Sequence, residues 1–157
     1  MDRQRLRQLY ERHADVVYRV CFTYLGSSAD SEDAVQEVFL RLLNKDPVFE
    51  TERDERGWLI VTACNYCKSQ LRWRKRHPVA EPDDQPEQTC IDSSDAEILD
   101  LLAGLPDDCR QVVIMHCCEG YTLAEIARLS GVKASTVRSR WFHARKKLKN
   151  ILGGIEE

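Results

Sequence analysis

The chain has 157 residues, of which 43% are hydrophobic and 31% are charged, and its net charge is −3. This composition is typical of a soluble folded protein and excludes a largely disordered one, and the length suits one ordinary domain or two small ones. No apolar run approaches the roughly 20 residues of a membrane-spanning helix, and the charged start MDRQRLRQLYER lacks the apolar core of a secretion signal, so we expect a cytoplasmic protein.

Three helices are predicted in the N-terminal half. Apolar residues recur at steps of three and four from the start of the chain, which predicts an amphipathic helix that ends near Gly26. A second helix is expected to begin after Asp30 or Ser31, which are good N-cap residues, and to stop at Asp46 before a proline. A third helix should cover about 56–76. Nothing here alternates with the period of a strand, so this half is predicted to be a helical bundle.

Charge is divided sharply along the remainder of the chain. Residues 58–80 contain five Lys and Arg and no acidic residue, whereas 81–109 contain ten acidic residues and no Lys or Arg. Residues 110–157 are basic again, with nine Lys and Arg against four acidic residues. Two basic blocks separated by an acidic one indicate a polyanionic partner better than the net charge does.

The stretch HPVAEPDDQPEQTCIDSS, residues 77–94, leads into the acidic block and has three prolines, five acidic residues and few large apolar side chains. This pattern predicts a flexible linker over 78–95. The linker would separate an N-terminal domain, 1–77, from a C-terminal domain, 96–153. The predicted fold is therefore all-α, with two small helical domains.

The C-terminal domain has the pattern of a helix-turn-helix. The stretch from Thr122 to Glu125 is predicted to be a capping box that starts a short helix, which Gly131 ends. A longer basic helix should follow from about Ala134, with an inward face formed by Val137, Trp141, Ala144 and Leu148. In such a motif the second helix enters the major groove of DNA.

The outward face of this longer helix is predicted to read duplex DNA. Arg138 and Ser139 are the leading base readers, because arginine can bond a guanine edge bidentately and serine can bond several bases. Later cations, including Lys147 and Lys149, suit phosphates. The predicted DNA-binding set is Ser135, Thr136, Arg138, Ser139, Phe142, His143, Arg145 and Lys146.

A C-x-x-C motif, Cys64 and Cys67, lies within the predicted third helix. A zinc site needs four converging ligands, and a thioredoxin-like site places the motif at a strand-to-helix junction. These two cysteines instead fall mid-helix on an apolar stripe, where cysteine serves as a small hydrophobe. A thiol or metal sensor, with His116, Cys117 and Cys118 as further candidate groups, stays a minor alternative. We predict no metal and no cofactor, and an odd total of seven cysteines favours reduced thiols.

Three segments resemble the extracytoplasmic-function (ECF) sigma factors of bacterial RNA polymerase, in the sigma-70 family. YTLAEIARLSGVKASTVRSRWFHARKKLK is similar to their region 4, SEDAVQEVFLRLL to region 2.2, and RGWLIVTACNYCKSQLRWRKR to regions 2.3 and 2.4. The resemblance implies a transcription initiation factor that binds core RNA polymerase and promoter DNA. Region 2 would open the minus-ten element, and region 4 would read the minus-thirty-five element as duplex. Many relatives are held inactive by an anti-sigma factor, which is a candidate partner here too.

The resemblance also assigns roles to two helix faces. An acidic, partly apolar face on the second helix suits a basic helix of the polymerase, and its residues are Glu32, Asp33, Gln36, Glu37 and Leu40. On the third helix, a stripe of aromatic, hydrogen-bonding and cationic side chains suits unpaired bases. The predicted minus-ten set is Trp58, Thr62, Asn65, Ser69, Arg72, Arg74, Lys75 and Arg76. It lies opposite a buried stripe formed by Ile60, Ala63, Cys64, Cys67 and Leu71. Trp73, among the cations, is expected to be exposed or to contact DNA.

Other functions are less well supported by the residues. The four histidines are scattered and neither a glycine-rich phosphate loop nor a nucleophile–base spacing stands out, so we predict no enzymatic activity. A stand-alone helix-turn-helix regulator is the main alternative, and it would bind duplex DNA without polymerase. Lys68, Ser69 and His143 depart from the family's usual residues, so the promoter sequence is not predicted.

Overall fold

The computed structural model describes residues 1–78 and 93–153, and all regular structure in these residues is helical. The chain divides into two compact units, Met1–Ile91 and Asp92–Glu157. The prediction of an all-α protein is therefore confirmed for the described residues. None of the described helices is long and apolar enough to cross a membrane.

The described part of the N-terminal unit, residues 1–78, has three helices, α1 (Arg3–Leu25), α2 (Ser28–Lys45) and α3 (Glu52–Arg76), each of which packs against the other two. Burial contributes about 1.5 to 3 kcal/mol for each large apolar side chain, so this core fixes which helix faces stay at the surface. The fully buried apolar side chains are Leu9, Val17, Cys21, Ala34, Val38, Leu42, Leu59, Ile60, Ala63, Cys64 and Cys67.

Local capping sets the ends of the first two helices. α1 ends at Gly26, as predicted, with a left-handed φ of 67°. α2 begins earlier than predicted, because Ser27 has an extended backbone and its side chain accepts a hydrogen bond from the amide of Asp30. Ser31, proposed as a cap, is buried inside the helix and donates its hydroxyl to the Ser27 carbonyl oxygen at 2.6 Å. Asp46 ends α2 in the left-handed region, with φ 44°.

The start of α3 also differs from the prediction. The helix begins at Glu52, four residues before the predicted start, because the Thr51 hydroxyl caps it by accepting from the amide of Asp54 at 3.1 Å. Acidic residues in the first turn favour the positive end of the helix dipole. As a consequence Glu55 lies inside the helix, where its side chain faces α1.

In the C-terminal unit, residues 93–153 form four α-helices, which are α4 (Ser93–Ala103), α5 (Asp107–Val113), α6 (Leu123–Ser130) and α7 (Ala134–Gly153). A π-helical turn continues α5 through Ile114–Cys118. α7 packs against α5 and α6, and α4 packs against α5. The most deeply buried side chains here are Leu105, Val112, Met115, Tyr121, Ile126, Val137 and Ala144.

The predicted linker is shortened at its C-terminal end. α4 begins at Ser93, so the last three residues of the range 78–95 are helical. Helix formation is favoured there because serine and aspartate are good residues for the start of a helix. The rest of the predicted linker, 79–92, lies outside the described residues.

The π-helical turn changes which residues face the core. The amide of Glu119 donates to the Ile114 carbonyl oxygen at 3.1 Å, five residues back, so one extra residue is accommodated in the turn. Cys117 and Cys118, at the end of this turn, are exposed.

Candidate nucleic-acid and partner interfaces

The acidic face of α2 is at the surface. Glu32, Asp33, Gln36 and Leu40 are exposed, and the Leu40 side chain is 53% exposed. Glu37 differs, because it is half-buried and accepts a hydrogen bond from Arg41 at 3.2 Å. Four members of the predicted polymerase-binding set therefore form one open face, and the fifth is already held within its own helix.

Tyr66 of α3 joins this face to the neighbouring helix. The guanidinium carbon of Arg41 lies 5.1 Å from the centre of the Tyr66 ring, within the range of a cation–π contact. Burial raises the pKa of Tyr66 above its ordinary value, and the negative charge of Glu37 adds to the rise. The phenol therefore stays protonated in neutral solution. Sequence reasoning gave Tyr66 and Arg41 no role, because their contact depends on the packing of α2 against α3.

The two predicted stripes of α3 lie on different sides of the helix, one buried and one at the surface. Ile60, Ala63, Cys64 and Cys67 are fully buried, as predicted, whereas Leu71 is only half-buried. On the opposite side, the exposed members of the predicted minus-ten set are Asn65, Ser69, Arg72, Lys75 and Arg76, and the half-buried ones are Trp58, Thr62 and Arg74. The surface stripe thus carries the mixture of groups that the sequence indicated.

Two members of this stripe also make contacts within the unit. The Trp58 ring lies edge-on to Phe49, with ring centres 6.1 Å apart. The Thr62 hydroxyl donates to the Trp58 carbonyl oxygen at 2.7 Å, so toward a further partner it can only accept hydrogen bonds. Trp58 and Thr62 are therefore anchored, while Asn65 and Ser69 beside them are exposed.

The cations at the end of α3 are not equivalent. Arg74 forms an ion pair with Asp30 of α2 at 2.8 Å, and both side chains are about 40% exposed. Arg72 donates to the Ser69 hydroxyl at 3.3 Å. Lys75 and Arg76 are exposed and form no ion pair with any described residue. A DNA contact by Arg74 has to compete with Asp30.

A buried charge cluster attaches the first turn of α3 to α1. Glu55 is 2% exposed and accepts hydrogen bonds from Arg5 at 2.8 Å, Arg12 at 3.0 Å and His13 at 2.6 Å. A carboxylate only accepts, so Nε2 of His13 carries the proton of this bond. The other ring nitrogen, Nδ1, is buried without a hydrogen-bond partner among the described residues. The cluster fixes α3 one turn before Trp58.

This cluster was missed because the predicted third helix started after Glu55. A signal was nevertheless present in the sequence. Arg5, Arg12 and His13 share one side of α1 with buried apolar residues such as Leu9. Two arginines and a histidine beside an apolar face indicate that an acidic side chain of another helix packs there.

In the C-terminal unit, local contacts hold the helix-turn-helix as predicted. Thr122 and Glu125 form a capping box, with amide-to-side-chain distances of 3.1 Å and 3.0 Å. Gly131 ends α6 with a left-handed φ of 68°. At this φ a side chain is strained, so glycine suits the turn that aims α7.

The two faces of α7 are also as predicted. Val137 and Ala144 are buried, and Trp141 and Leu148 are half-buried. Of the predicted DNA-binding set, only Thr136 is half-buried, and the exposed members are Ser135, Arg138, Ser139, Phe142, His143, Arg145 and Lys146. Phe142 is 64% exposed, so its ring is available to a ligand.

The thiols show no arrangement typical of a metal or redox centre in the described ranges. Cys64 and Cys67 are completely buried. No group of three His, Cys, Asp or Glu side chains that could hold a metal occurs in residues 1–78 and 93–153. Partial desolvation raises the pKa of both exposed thiols, Cys117 and Cys118, which lowers their thiolate fraction and hence their reactivity. Cys90 lies outside the described residues.

Comparisons with known proteins give the same division of the chain. The family models described as Sigma-70 region 2 and Sigma-70, region 4 match residues 9–77 and 95–148, respectively. The chain is 30% identical to the ECF RNA polymerase sigma factor SigM of Mycobacterium tuberculosis, over 97% of this chain and 79% of the relative. It is 33% identical to SigL of the same species, over 94% and 88% of the two chains. RNA polymerase sigma factor CarQ of Myxococcus xanthus is 30% identical, over 94% and 89%.

Two solved structures share the fold. The sigma factor RpoE, in complex with the anti-sigma factor NepR from Bartonella quintana, aligns with a TM-score of 0.70 and 22% identity, over 94% of this chain and 96% of that one. CnrH, in complex with the cytosolic domain of CnrY, aligns with a TM-score of 0.70 and 22% identity, over 98% and 90%. At this identity the likeness supports the fold and not the details of a site.

Proposed function

We propose that this chain, which belongs to the ECF sigma factors of the sigma-70 family, opens the minus-ten element with α3 and reads the minus-thirty-five element as duplex with α7. Sigma factors are non-enzymatic initiation factors that direct RNA polymerase to promoters. The observation that carries the proposal is the division of faces on α3 and α7, because each helix buries an apolar stripe and exposes a polar, cationic one. Region 2 would occupy 1–77 and region 4 would occupy 96–153, and both would act in the cytoplasm with the polymerase.

For α7, the first turns are the part suited to base edges. Ser135, Arg138 and Ser139 are exposed early in the helix, after the turn at Gly131 that would direct them into the groove. Exposed cations in later turns, such as Arg145 and Lys146, suit phosphates, which supply affinity without sequence choice.

Replacing Arg138 with alanine is expected to weaken binding to the upstream promoter duplex by about 1 to 3 kcal/mol and to relax preference at one base pair, because a bidentate contact to a base is lost. Lys149→Ala is the matched control, since removal of an exposed phosphate-type cation should weaken all sequences alike. Polymerase-dependent binding to a panel of single-base promoter variants measures both effects. An equal loss on every variant for Arg138→Ala would rule out its role in base reading.

For α3, single-stranded DNA fits the exposed stripe better than duplex does. Opening a promoter holds bases out of the stack, which costs a few kcal/mol that a protein surface must offset. Asn65 and Ser69 supply exposed hydrogen-bonding groups, and Trp58 presents a partly exposed ring that Phe49 holds in place. The adjacent cations would hold the phosphates of the same strand.

Asp30→Asn is expected to tighten binding to promoter DNA by up to about fivefold, because an exposed ion pair is worth at most ~1 kcal/mol and its loss releases Arg74. In an Arg74→Ala background the same substitution should have almost no effect. Titrations of wild type, both single variants and the double variant give the coupling between the two residues. If Asp30→Asn tightens binding equally in both backgrounds, Asp30 acts as a repulsive charge and does not hold Arg74.

The open face of α2 is the proposed contact with core RNA polymerase. Glu32, Asp33, Gln36 and Leu40 combine negative charge with an exposed apolar side chain, which suits a basic helix with an apolar side. Glu37 would contribute charge while bound to Arg41. An anti-sigma factor is a further proposed partner, since the similar sigma factor RpoE was solved in complex with one.

A further inference from the structure

Trp73 is the only exposed tryptophan of the three in the chain. It lies one turn before the end of α3 and is 51% exposed, whereas Trp58 and Trp141 are half-buried. The imidazole of His77 stacks on the indole, with ring centres 4.4 Å apart and an interplanar angle of 17°. The pair therefore presents an exposed aromatic surface on which a further ring can stack.

The geometry of the stack is fixed by the backbone. Nδ1 of His77 lies 3.0 Å from the carbonyl oxygen of Trp73, and because that oxygen only accepts, Nδ1 carries the proton. The backbone amide of His77 donates to the same oxygen at 3.0 Å. The imidazole therefore covers one face of the indole, and the half of Trp73 that stays exposed is available to a second planar ring.

The surroundings of the stack favour a nucleic acid over a protein. Arg72, Lys75 and Arg76 are exposed neighbours, and no acidic residue occurs between positions 57 and 80. Aromatic anchors at protein interfaces are normally surrounded by further side chains that exclude water, whereas this turn offers only long, solvated cations. Cations beside an exposed ring are the combination that holds the phosphates and stacks the bases of a single strand.

The position of Trp73 on α3 agrees with this partner. At 100° per residue, Trp73 points within about 60° of Trp58, at the edge of the proposed minus-ten stripe. The two residues are separated by roughly 22 Å along the helix axis, so they would contact different nucleotides of one strand.

Building on the proposed opening of the minus-ten element, we propose that Trp73 and His77 form a stacking platform for an unpaired base of the opened strand. The base lies on the free face of the indole, His77 supports the other face, and the neighbouring cations hold the phosphates on either side. Neither residue belongs to the hydrogen-bonding stripe, and the platform selects for an unstacked base and not for a particular one.

The test compares two strands of equal length and charge, a fluorescein-labelled oligothymidylate and an abasic strand with the same label. Binding of the full chain to each is measured by fluorescence anisotropy at low salt. Trp73→Ala is expected to weaken binding to oligothymidylate by about 5- to 100-fold and to leave the affinity for the abasic strand nearly unchanged, because only stacking on a base is lost.

Trp73→Phe should retain most of the affinity, and Trp73→Leu should resemble Trp73→Ala. Tyr10→Ala, which removes another exposed aromatic ring, is the matched control and should change neither affinity.

Several results would overturn the proposal. The first is equal affinity of the wild type for both strands. The second is a Trp73→Ala variant that loses affinity equally on both strands, or loses none on either. The third is a Trp73→Leu variant that binds as tightly as Trp73→Phe. A Trp73→Ala chain that loses affinity for core polymerase and not for DNA would identify a protein contact instead. Transcription from a promoter separates this outcome from failure of the sigma-factor role. If the wild type gives transcript starts and Trp73→Ala is equally active, only the platform proposal is refuted. If the wild type gives no transcript starts, the proposed function itself is refuted.

Discussion

Replacing Glu55 with alanine is expected to lower the free energy of unfolding of the N-terminal unit by about 3 kcal/mol. The substitution leaves the buried His13 without its hydrogen-bond acceptor and removes the anion that Arg5 and Arg12 share. Both arginines are about 40% exposed and can turn toward water, so the loss should lie near the lower end of the range for a broken buried pair. Urea denaturation followed by tryptophan fluorescence measures it.

Two other variants separate burial from charge in this cluster. Glu52→Ala removes a neighbouring acid that is 66% exposed and lies 3.6 Å from Arg12, and it should cost less than about 1 kcal/mol. Glu55→Gln keeps an acceptor for His13 and should give an intermediate loss. If Glu55→Ala were no more destabilising than Glu52→Ala, the cluster would not anchor α3 to α1.

Replacing Arg110 with alanine is expected to destabilise the C-terminal unit by about 3 kcal/mol. Arg110 is 6% exposed, and its guanidinium donates to the carbonyl oxygens of Leu102, Ala103 and Leu105 at 2.8 to 3.1 Å. These carbonyls lie at or just after the end of α4, where a helix has no donors of its own. Without the guanidinium, α4 loses its attachment to α5 and a space is left in the core.

Arg110→Lys distinguishes hydrogen bonding from charge. A lysine keeps the charge but cannot reach three carbonyl oxygens in one plane, so it should recover at most part of the loss. Lys149→Ala on the exposed face of α7 should change stability by no more than about 0.5 kcal/mol. Thermal unfolding of the three variants measures the differences, and an Arg110→Ala chain as stable as Lys149→Ala would contradict the role given to Arg110.

Much of the fold could be predicted because it depends on local patterns. The spacing of apolar residues in α1 and α3 identified the buried faces, since a helix places residues three and four apart on the same side. Gly131 and the capping box at Thr122 act within a few residues, so the turn before α7 was also predictable from the sequence. The same spacing led to the exposed faces of α2, α3 and α7.

Features that depend on contacts between helices could not be predicted in this way. The cluster around Glu55 joins residues more than 40 positions apart, and the predicted start of α3 had left Glu55 outside the helix. The ion pair of Arg74 with Asp30 changes the role of a cation that the sequence assigned simply to DNA. The π-helical turn at Ile114–Cys118, where Cys117 and Cys118 are exposed, is a third such feature. Each of these features depends on a distant residue or on a local backbone geometry, and the spacing of apolar residues predicts neither.

Trp73 shows how structure sharpens a prediction made from sequence. Its place among four cations indicated exposure, which the structure confirms. The stack with His77 needs the ordered last turn of α3, and that geometry is what turns an exposed ring into a candidate platform for a base.

Run-off transcription tests whether the chain directs RNA polymerase to promoters. Core polymerase is incubated with a genomic template library, with and without the purified chain, and the transcript starts are mapped. We expect new start sites that appear only with the chain, share an upstream element and become less selective with Arg138→Ala. The absence of new starts, together with failure of the chain to co-purify with core polymerase, would contradict this role and would favour a regulator that binds duplex DNA alone.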